Sequence, residues 1–300
     1  MKIQTFSIVV GTRACDARCP FCVSKMTGYG QLPPPGGDIN LLNLAKACRL
    51  AQISGATTVL LTGKGEPTLY PVEIGNYLEA IGHYDFPLIE LQTNGLSLGA
   101  LADGRGRVPG LDVTALRTWR LNGLNTVAVS AVDVDQAVNA GIYGPDYPPL
   151  DRLADFLHGL GFTVRLCLMM QRGGIDSPET LFAALDFCRR HGIEQVTARP
   201  IRRPQASQHA EAADFVAGHG LTTEDEDRIR EWAETNGTKL MSLMHGATVY
   251  DLDGQNFCLS DCLTVGAGAD DVRSVIFYSD GRLTYDWQHD GAVILGGRRK

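Results

Sequence analysis

The sequence contains no long apolar run and no long block of basic residues. No stretch approaches the roughly 20 apolar residues that a membrane helix needs, so no membrane span is expected. The net charge is −7 over 300 residues, whereas nucleic-acid binding requires a surface rich in Lys and Arg. The composition therefore predicts neither a membrane partner nor a nucleic-acid partner.

A recognisable export signal is also missing. The apolar stretch near the start is short, and no small-residue cleavage site follows it. Eight cysteines in such a chain are expected to be metal ligands or buried thiols, and not a disulfide framework. We therefore expect a cytoplasmic protein, and this compartment suits a reducible metal centre.

Three of the eight cysteines lie within eight residues, in the segment Cys15-Asp-Ala-Arg-Cys19-Pro-Phe-Cys22. Thiolates this close in sequence can converge on one soft metal centre. Iron–sulfur clusters are usually held by four such thiolates, and this segment supplies three. Either a distant cysteine completes the set, or one iron is left open to a small molecule.

A zinc knuckle and a chance spacing are the alternative interpretations of this segment. Zinc sites more often use two cysteine pairs, each spaced by two residues. Only one such pair is present here, and the first histidine of the chain is His83. The pattern therefore favours an iron–sulfur cluster over zinc.

Short apolar runs alternate with longer helical stretches from Ile3 to about Pro200. The predicted strands are Phe6–Val10, Thr58–Thr62, Leu88–Thr93, Thr126–Ala131, Val164–Met169 and Gln195–Arg199. The predicted helices are Leu41–Ser54, Val72–Ile81, Thr114–Asn122, Pro149–Leu160 and Pro178–His191. This order predicts an α/β fold with a parallel sheet and outer helices, either doubly wound or a partial barrel. In both architectures the chemistry collects at the carboxyl ends of the strands.

Polar and glycine-rich segments follow three of these strands. The second strand leads into Thr62–Pro67 (TGKGEP), where two glycines permit a tight turn or the close approach of a ligand. The third leads into Thr93–Gly95, which contains an Asn-Gly turn signal. The fourth carries Ser130 and then Asp133. A serine in an apolar strand needs a hydrogen-bond partner, and the backbone is the alternative to a ligand.

Arginines lie in or after the last two predicted strands. Arg165 shares a strand face with Cys167, and it predicts either a buried anionic ligand or an interior salt bridge. Cys167 itself has the properties of a small buried hydrophobe. Arg199, Arg202 and Arg203 could bind phosphate or carboxylate, or form a solvated basic turn. These three arginines are the main indication of an anionic substrate.

The cysteine spacing after a first strand, with these motifs following in order, resembles the radical S-adenosylmethionine (SAM) superfamily. The resemblance implies a partial (βα)6 TIM-like barrel over residues 1–204 and a [4Fe–4S] cluster on Cys15, Cys19 and Cys22. It also implies that the open iron is chelated by the amino and carboxylate groups of SAM. Reductive cleavage of SAM would give methionine and a 5′-deoxyadenosyl radical, which abstracts hydrogen from a substrate.

The same resemblance assigns roles to the other motif residues. The segment TGKGEP resembles the Gly-Gly-Glu-Pro motif of the superfamily, with Lys64 where a glycine is usual. The residues implied or proposed for SAM binding are Gly63, Gly65, Glu66, Thr93, Asn94, Ser130 and Arg165. Asp133 is a candidate catalytic residue, although it comes one residue later than the commonest spacing. The candidates for substrate binding are Arg199, Arg202 and Arg203.

Residues 205–300 are expected to form a C-terminal lid or extension. The stretch 205–220 has no strong periodicity and predicts a linker or lid. A charged helix is expected over Thr222–Asn236, with Thr223 as its N-cap and Glu226 completing a capping box. The segment Asp280–Gly281 lies between two alternating runs and predicts a β-hairpin.

Cys258 and Cys262 precede this hairpin, an arrangement that resembles the C-terminal part of molybdenum-cofactor GTP cyclases. Here the pair is spaced by three residues instead of two, and no third cysteine follows. The pair is interpreted as a degenerate remnant, as two partly buried thiols, or as a catalytic thiol that returns a hydrogen atom to a substrate radical. A second cluster would have to recruit Cys167 or Cys188.

These observations favour a radical SAM enzyme that acts on a small polar, anionic molecule. The expected substrates are nucleotides, nucleosides or sugars, as in antibiotic biosynthesis. The outcome is left open between decarboxylation, epimerisation, dehydrogenation and carbon–carbon coupling. A reductant such as flavodoxin or ferredoxin is the expected partner. A radical SAM enzyme that modifies peptides or proteins, and a non-enzymatic iron–sulfur or zinc regulator, are the alternatives.

Overall fold

The computed structural model describes residues 2–33, 38–243, 246–261 and 271–297. Its core is a parallel sheet of six strands in chain order. These strands are β1 (Lys2–Val9), β2 (Thr58–Thr62), β3 (Leu88–Thr93), β4 (Thr126–Ala131), β5 (Thr163–Met170) and β6 (Gln195–Pro200). Each strand pairs in parallel with the next, so all six carboxyl ends lie at one edge of the sheet.

Helices cover one face of this sheet. They are α1 (Val23–Thr27), α2 (Leu41–Ile53), α3 (Pro71–Ile81), α4 (Leu96–Ala102), α5 (Val113–Leu121), α6 (Gln136–Tyr143), α7 (Leu150–Gly159) and α8 (Pro178–Arg190). Alternate strand residues, for example Leu91 and Leu166, are buried in the main apolar core with the helices. Because side chains alternate along a strand, the residues between them face the opposite, inner side of the sheet. That inner side carries polar residues such as Glu90, Arg165 and Arg199.

The rest of the chain extends the same sheet at both edges. It forms α9 (Ala210–His219), α10 (Thr223–Asn236), β7 (Thr238–Ser242), β8 (Thr248–Leu252), β9 (Gln255–Leu259), β10 (Asp271–Phe277), β11 (Leu283–Thr284) and β12 (Val293–Leu295). Strand β9 pairs in parallel with β6, and β10 pairs in parallel with β1. The described residues therefore form one sheet in the order β12-β11-β10-β1-β2-β3-β4-β5-β6-β9-β8-β7.

The α/β fold class expected from the sequence is confirmed, and most element boundaries agree within one or two residues. The hairpin is also present, because β10 and β11 pair antiparallel around Asp280–Gly281. The stretch 205–220 contains helix α9, so the linker interpretation is wrong and the lid stays a prediction. The N-cap expected for α10 is also wrong, because the cap is Thr222 and its capping-box partner is Asp225. Both ends of a helix depend on local backbone geometry that composition alone does not fix.

Among the described residues, no helix is both long enough and apolar enough to cross a membrane.

The start of α8 gives a test of this local structure. Ser177 Oγ accepts a hydrogen bond from Thr180 N, and Thr180 Oγ1 accepts one from Ser177 N. Replacing Ser177 by Ala removes one side of this capping box and is expected to lower the free energy of unfolding by about 1 kcal/mol. Urea denaturation measures the change. The control is Thr114→Ala on the exposed face of α5, which should change stability by less than about 0.5 kcal/mol; equal effects would contradict the prediction.

Candidate active site

The segment 11–22, called here the cysteine loop, begins at the carboxyl end of β1. Val10 N donates to the Thr62 carbonyl at 2.7 Å, so the loop leaves the sheet beside the end of β2. Gly11 has a φ of +71°, and a Cβ there would lie 2.2 Å from the Tyr70 ring. Thr12 Oγ1 lies 2.5 Å from Tyr70 Oη. Glycine is therefore required where the loop turns against this tyrosine.

The turn at Gly63 and Gly65 packs directly on the cysteine loop. A Cβ on Gly65 would lie 2.2 Å from the carbonyl oxygen of Ala14, and a Cβ on Gly63 would lie 3.0 Å from that of Val10. Glu66 N donates to the Ala14 carbonyl at 2.9 Å. The two glycines thus allow the ends of β1 and β2 to meet backbone to backbone, which no residue with a side chain would permit at Gly65.

The carboxylate of Glu66 is 3% exposed and joins the ends of β2 and β3. Its Oε1 accepts from Thr68 N (3.0 Å), Thr68 Oγ1 (2.7 Å) and Thr93 Oγ1 (2.7 Å). Its Oε2 accepts from Asn94 N at 2.8 Å. Burial raises the pKa of this carboxyl, and the four donors counter part of that effect because they favour the charged form.

Asn94 connects this network to the cysteine loop. Its Nδ2 donates to Asp16 Oδ1 at 2.7 Å and lies 3.7 Å from Cys15 Sγ. Ser97 Oγ at the start of α4 donates to Asp16 Oδ2 at 2.9 Å. Asp16, which directly follows Cys15, is therefore held by two side chains that follow β3.

The three cysteines of the cysteine loop have free thiols. Burial raises the pKa of Cys15 to about 11, helped by the nearby Glu66 and Asp16 and opposed by a backbone hydrogen bond from Ala17. Burial, with the neighbouring Cys22 and Cys15, raises the pKa of Cys19 to about 12. Burial makes the thiols of Cys15 and Cys19 resist ionisation, and positively charged iron ions would stabilise them as thiolates. This chemistry fits a cluster with three cysteine ligands.

In the parts of the chain that the structure describes, no three His, Cys, Asp or Glu side chains form a site for one metal ion. Thiolates that hold a multi-iron cluster bind separate irons. The finding therefore concerns sites for a single metal ion. It does not bear on Cys15, Cys19 and Cys22 as ligands of three different irons in one cluster.

Lys64, where the sequence departs from the familiar motif, is 4% exposed. Its Nζ donates to Thr27 Oγ1 (2.9 Å), the Gly28 carbonyl (2.9 Å) and the Trp287 carbonyl (3.3 Å). The ammonium also lies 5.5 Å from the centre of the Trp287 ring. Burial lowers the pKa of Lys64 to about 8, while the nearby side chains of Cys22 and Asp286 act in the opposite direction.

The inner face of the sheet carries a row of polar residues at one level. Ser130 pairs with Cys167, Cys167 with Thr197, and Thr197 with Cys258 along β4, β5, β6 and β9. Ser130 is half-buried, and its carbonyl accepts from Tyr147 Oη at 2.7 Å. Cys167 on β5 and Cys258 on β9 are separated by one strand, β6. Their backbones are therefore roughly 10 Å apart on the inner face.

Arg165 has a partner within the protein. Its Nη1 lies 2.6 Å from Glu90 Oε2, and its Nε and Nη2 donate to Gln195 Oε1 at 2.8 and 2.6 Å. Glu90 is 2% exposed. This is the interior salt bridge that the sequence left open as the alternative to an anionic ligand.

The three arginines at the end of β6 have different surroundings. Arg199 points along the inner face, with its Nη2 3.7 Å from Cys167 Sγ. Arg202 binds Glu226 through two hydrogen bonds of 2.6 Å and also contacts Asp261, so its charge is balanced inside the protein. Arg203 is exposed. Of the three, Arg199 lies nearest the polar row.

The other predicted catalytic residues lie farther along the same edge. Asp133 is half-buried after β4, and its Oδ1 accepts from Asp135 N at 2.9 Å. Cys258 is half-buried on β9, and burial raises its pKa, with Arg165 and Arg199 acting against the shift. Cys262 lies outside the described residues. The resemblance of this region to GTP cyclases stays a prediction.

Some residues of this site were not singled out from the sequence. Asp16 lies inside the cysteine motif, but its bonds to Asn94 and Ser97 depend on the meeting of β1 and β3. Glu90 has a visible signal, a carboxylate within an apolar strand. Trp287 has none, because its contact with Lys64 joins positions far apart in the chain.

Solved structures with similar folds include radical SAM proteins and proteins bound to SAM. SuiB from Streptococcus suis, bound to precursor peptide SuiA, aligns with 99% of this chain at a TM-score of 0.58 and 14% identity. AnSMEcpe with bound AdoMet aligns with 98% of this chain at a TM-score of 0.57 and 11% identity. A radical SAM methyltransferase from Sphaerobacter thermophilus aligns with 85% of this chain at a TM-score of 0.53 and 16% identity.

The alignments cover 62% of the SuiB chain, 78% of anSMEcpe and 66% of the methyltransferase, so this chain spans less than two thirds of SuiB. No protein-family model and no curated protein matches the sequence. The chain has the fold of the radical SAM enzymes, an α/β fold in which the parallel sheet forms a partial TIM-like barrel.

The Glu66 network predicts a stability change. In Glu66→Gln the amide nitrogen must face one of the four donors that now bind the carboxylate, and one buried donor loses its acceptor. The free energy of unfolding is expected to fall by about 1–3 kcal/mol. Urea unfolding of the cluster-free protein measures it. Glu79→Gln, on the exposed side of α3, is the control and should leave stability unchanged; a loss as large in the control would sink the prediction.

The pKa of Lys64 predicts a pH dependence of stability. Between pH 8 and 10.5 the unfolded chain keeps the Lys64 proton while the folded chain releases it. Stability from this group therefore rises with pH across that window, because the unfolded state binds more protons. The unfolding free energy of wild type minus that of Lys64→Met should increase from pH 8 to about 10, as measured in urea. The exposed Lys46→Met is the control, and a pH-independent difference for Lys64→Met would contradict the assignment.

Proposed function

We propose that this protein is a radical SAM enzyme. The observation that carries the proposal is the position of three free cysteines on one loop at the carboxyl end of β1, held there by Gly65, Glu66 and Asn94. These residues come from the ends of β2 and β3, which is where parallel α/β folds bind their ligands. The fold that the chain shares with radical SAM enzymes supports the same interpretation.

In this proposal Cys15, Cys19 and Cys22 hold a [4Fe–4S] cluster with one open iron. The cluster and SAM together supply one-electron cleavage of SAM and a 5′-deoxyadenosyl radical. The residues proposed to bind SAM are Gly63, Gly65, Glu66, Thr93, Asn94, Ser130 and Arg165. Their support is unequal, because some already have partners inside the protein.

Glu66 keeps the capacity for a further partner. Its Oε1 already accepts three hydrogen bonds, but its Oε2 accepts one, from Asn94 N. A carboxylate offers about four acceptor positions. Oε2 can therefore accept a second hydrogen bond from the ammonium group of SAM. The Glu90 carboxylate already pairs with the charge of Arg165. We therefore propose that Arg165 mainly holds the side chains of the inner face in place, and that its contact with SAM is secondary.

The substrate that we propose is a small polar anion bound at the inner face. Arg199 lies there, with its Nη2 3.7 Å from Cys167 Sγ. We assign the principal anion contact to Arg199 because of this position beside the polar row. Arg203, at the exposed rim, contributes at most to the approach of the anion, since exposed charges are screened by salt.

Cys258 is the proposed hydrogen-atom donor. It belongs to the same polar row as Cys167, and burial raises its pKa, which favours the protonated thiol. A protonated thiol can transfer its hydrogen atom to a carbon radical and become a thiyl radical, which one electron and one proton from an external reductant restore. Asp133 at the rim is a candidate for moving a proton in the same region. Reductants such as flavodoxin or ferredoxin are the proposed partners.

Two rival functions lead to different results in one experiment. SuiB, whose fold is similar, is solved bound to precursor peptide SuiA, so a peptide substrate is the first rival. A non-enzymatic regulator is the second. Formation of 5′-deoxyadenosine should be stimulated by nucleotides or sugar phosphates under our proposal and by peptides under the first rival. The second rival allows no 5′-deoxyadenosine at all.

Replacement of the loop cysteines tests the proposal itself. After anaerobic reconstitution with iron and sulfide, wild-type protein with dithionite and SAM should form 5′-deoxyadenosine. Cys15→Ala, Cys19→Ala and Cys22→Ala should each lose at least about 100-fold of this activity, because a missing ligand removes the cluster. Product is measured by chromatography and iron by assay. Cys48→Ala, on the buried face of α2, is the control and should keep both the iron and the activity. Failure of the wild-type protein to form 5′-deoxyadenosine would overturn the proposal.

A further inference from the structure

Lys64 is a buried cation whose hydrogen-bond acceptors are all neutral. Its ammonium donates to one hydroxyl and two backbone carbonyls, which use its three protons. Among the residues that the structure describes, no carboxylate forms an ion pair with it. Buried charges in proteins are normally paired, because removal from water is costly. We therefore ask which negatively charged group near Lys64 balances this charge.

The position of Lys64 identifies that group. Thr27 and Gly28 are the end of α1, the short helix that starts directly after Cys22. The side chains of Cys22 and Asp286 lie near enough to favour the charged form of the ammonium. A cluster bound to the thiolates would be a centre of negative charge at this point. It becomes more negative by one unit when it takes up an electron.

The third contact of Lys64 brings the C-terminal tail to the same place. Trp287 accepts through its carbonyl and lies under the ammonium with its ring. It packs on Val9, at the end of β1, with Ile276 and Tyr278. Lys64 thus joins three segments that are distant in sequence: the glycine turn, the end of α1 and the tail.

We propose that Lys64 is a positioning residue that binds the end of α1 to the C-terminal tail, and that its buried charge favours the reduced state of a cluster held by Cys15, Cys19 and Cys22. This inference rests on the proposed function. The physical reason is that a one-electron reduction adds negative charge, and a buried cation is screened far less than a solvated one. Reduction potentials of iron–sulfur clusters respond to nearby charge in this way.

The test measures the reduction potential of the reconstituted cluster in the absence of SAM. The reduced cluster is followed by electron paramagnetic resonance while dithionite supplies the electron. In Lys64→Met the equilibrium constant for reduction should fall about tenfold, which is about 59 mV for one electron. Lys64→Arg keeps the charge and should stay within about threefold of wild type.

Two control variants separate the charge from the mechanical role. Lys25→Met removes a lysine of α1 that is less buried and interacts with Cys19, and it should change the equilibrium constant less than threefold. Thr27→Val removes one acceptor of Lys64 but leaves its charge. It should lower the stability of the cluster-free protein in urea and leave the potential within threefold of wild type.

The results that overturn the inference are distinct from those that overturn the proposed function. A fully loaded Lys64→Met with the wild-type potential, or a shift in Lys25→Met as large as in Lys64→Met, rejects the role of the Lys64 charge. If Lys64→Met binds no cluster, the Lys64→Arg variant decides. A reduction potential equal to that of wild type supports the inference, and a tenfold fall in the equilibrium constant for reduction rejects it. A wild-type protein that binds no cluster rejects the proposed function instead.

Discussion

The buried carboxylate of Glu66 is the interaction on which the rest of the site depends. One side chain accepts four hydrogen bonds, and these fix the turn after β2 and the first residues after β3. Asn94, positioned in this way, holds Asp16 inside the cysteine loop. The loop therefore receives its conformation from two neighbouring strands, and its own sequence contributes mainly the thiols and the flexibility at Gly11.

The C-terminal part of the chain extends the parallel core on both sides and is continuous with it. Strand β9 extends the sheet beyond β6 and brings Cys258 to the inner face, while β10 pairs with β1. The tail after β11 then reaches the end of α1 through Trp287 and Lys64. Both edges of the parallel core are thus covered by later segments, which protects them from pairing with other chains.

Much of the architecture could be predicted because it depends on short-range patterns. Apolar runs bounded by glycine or proline located β2, β3 and β4 at their observed limits. The helix over 210–219 was missed because its composition lacks strong periodicity, and its burial comes from packing against α1 and the core. The extra residues at the start of β1 are strand because β10 pairs with them, a contact between opposite ends of the chain.

The sequence by itself determined the order of strands and helices, the spacing of the three cysteines and the presence of glycines where backbones must meet. Only the tertiary structure decided which charges have partners: Arg165 binds Glu90, Arg202 binds Glu226 and Asp261, and Lys64 stays buried among neutral acceptors. The physical reason is range. Backbone propensity and side-chain periodicity act over a few residues, whereas an ion pair forms between groups that only the folded sheet brings within about 4 Å.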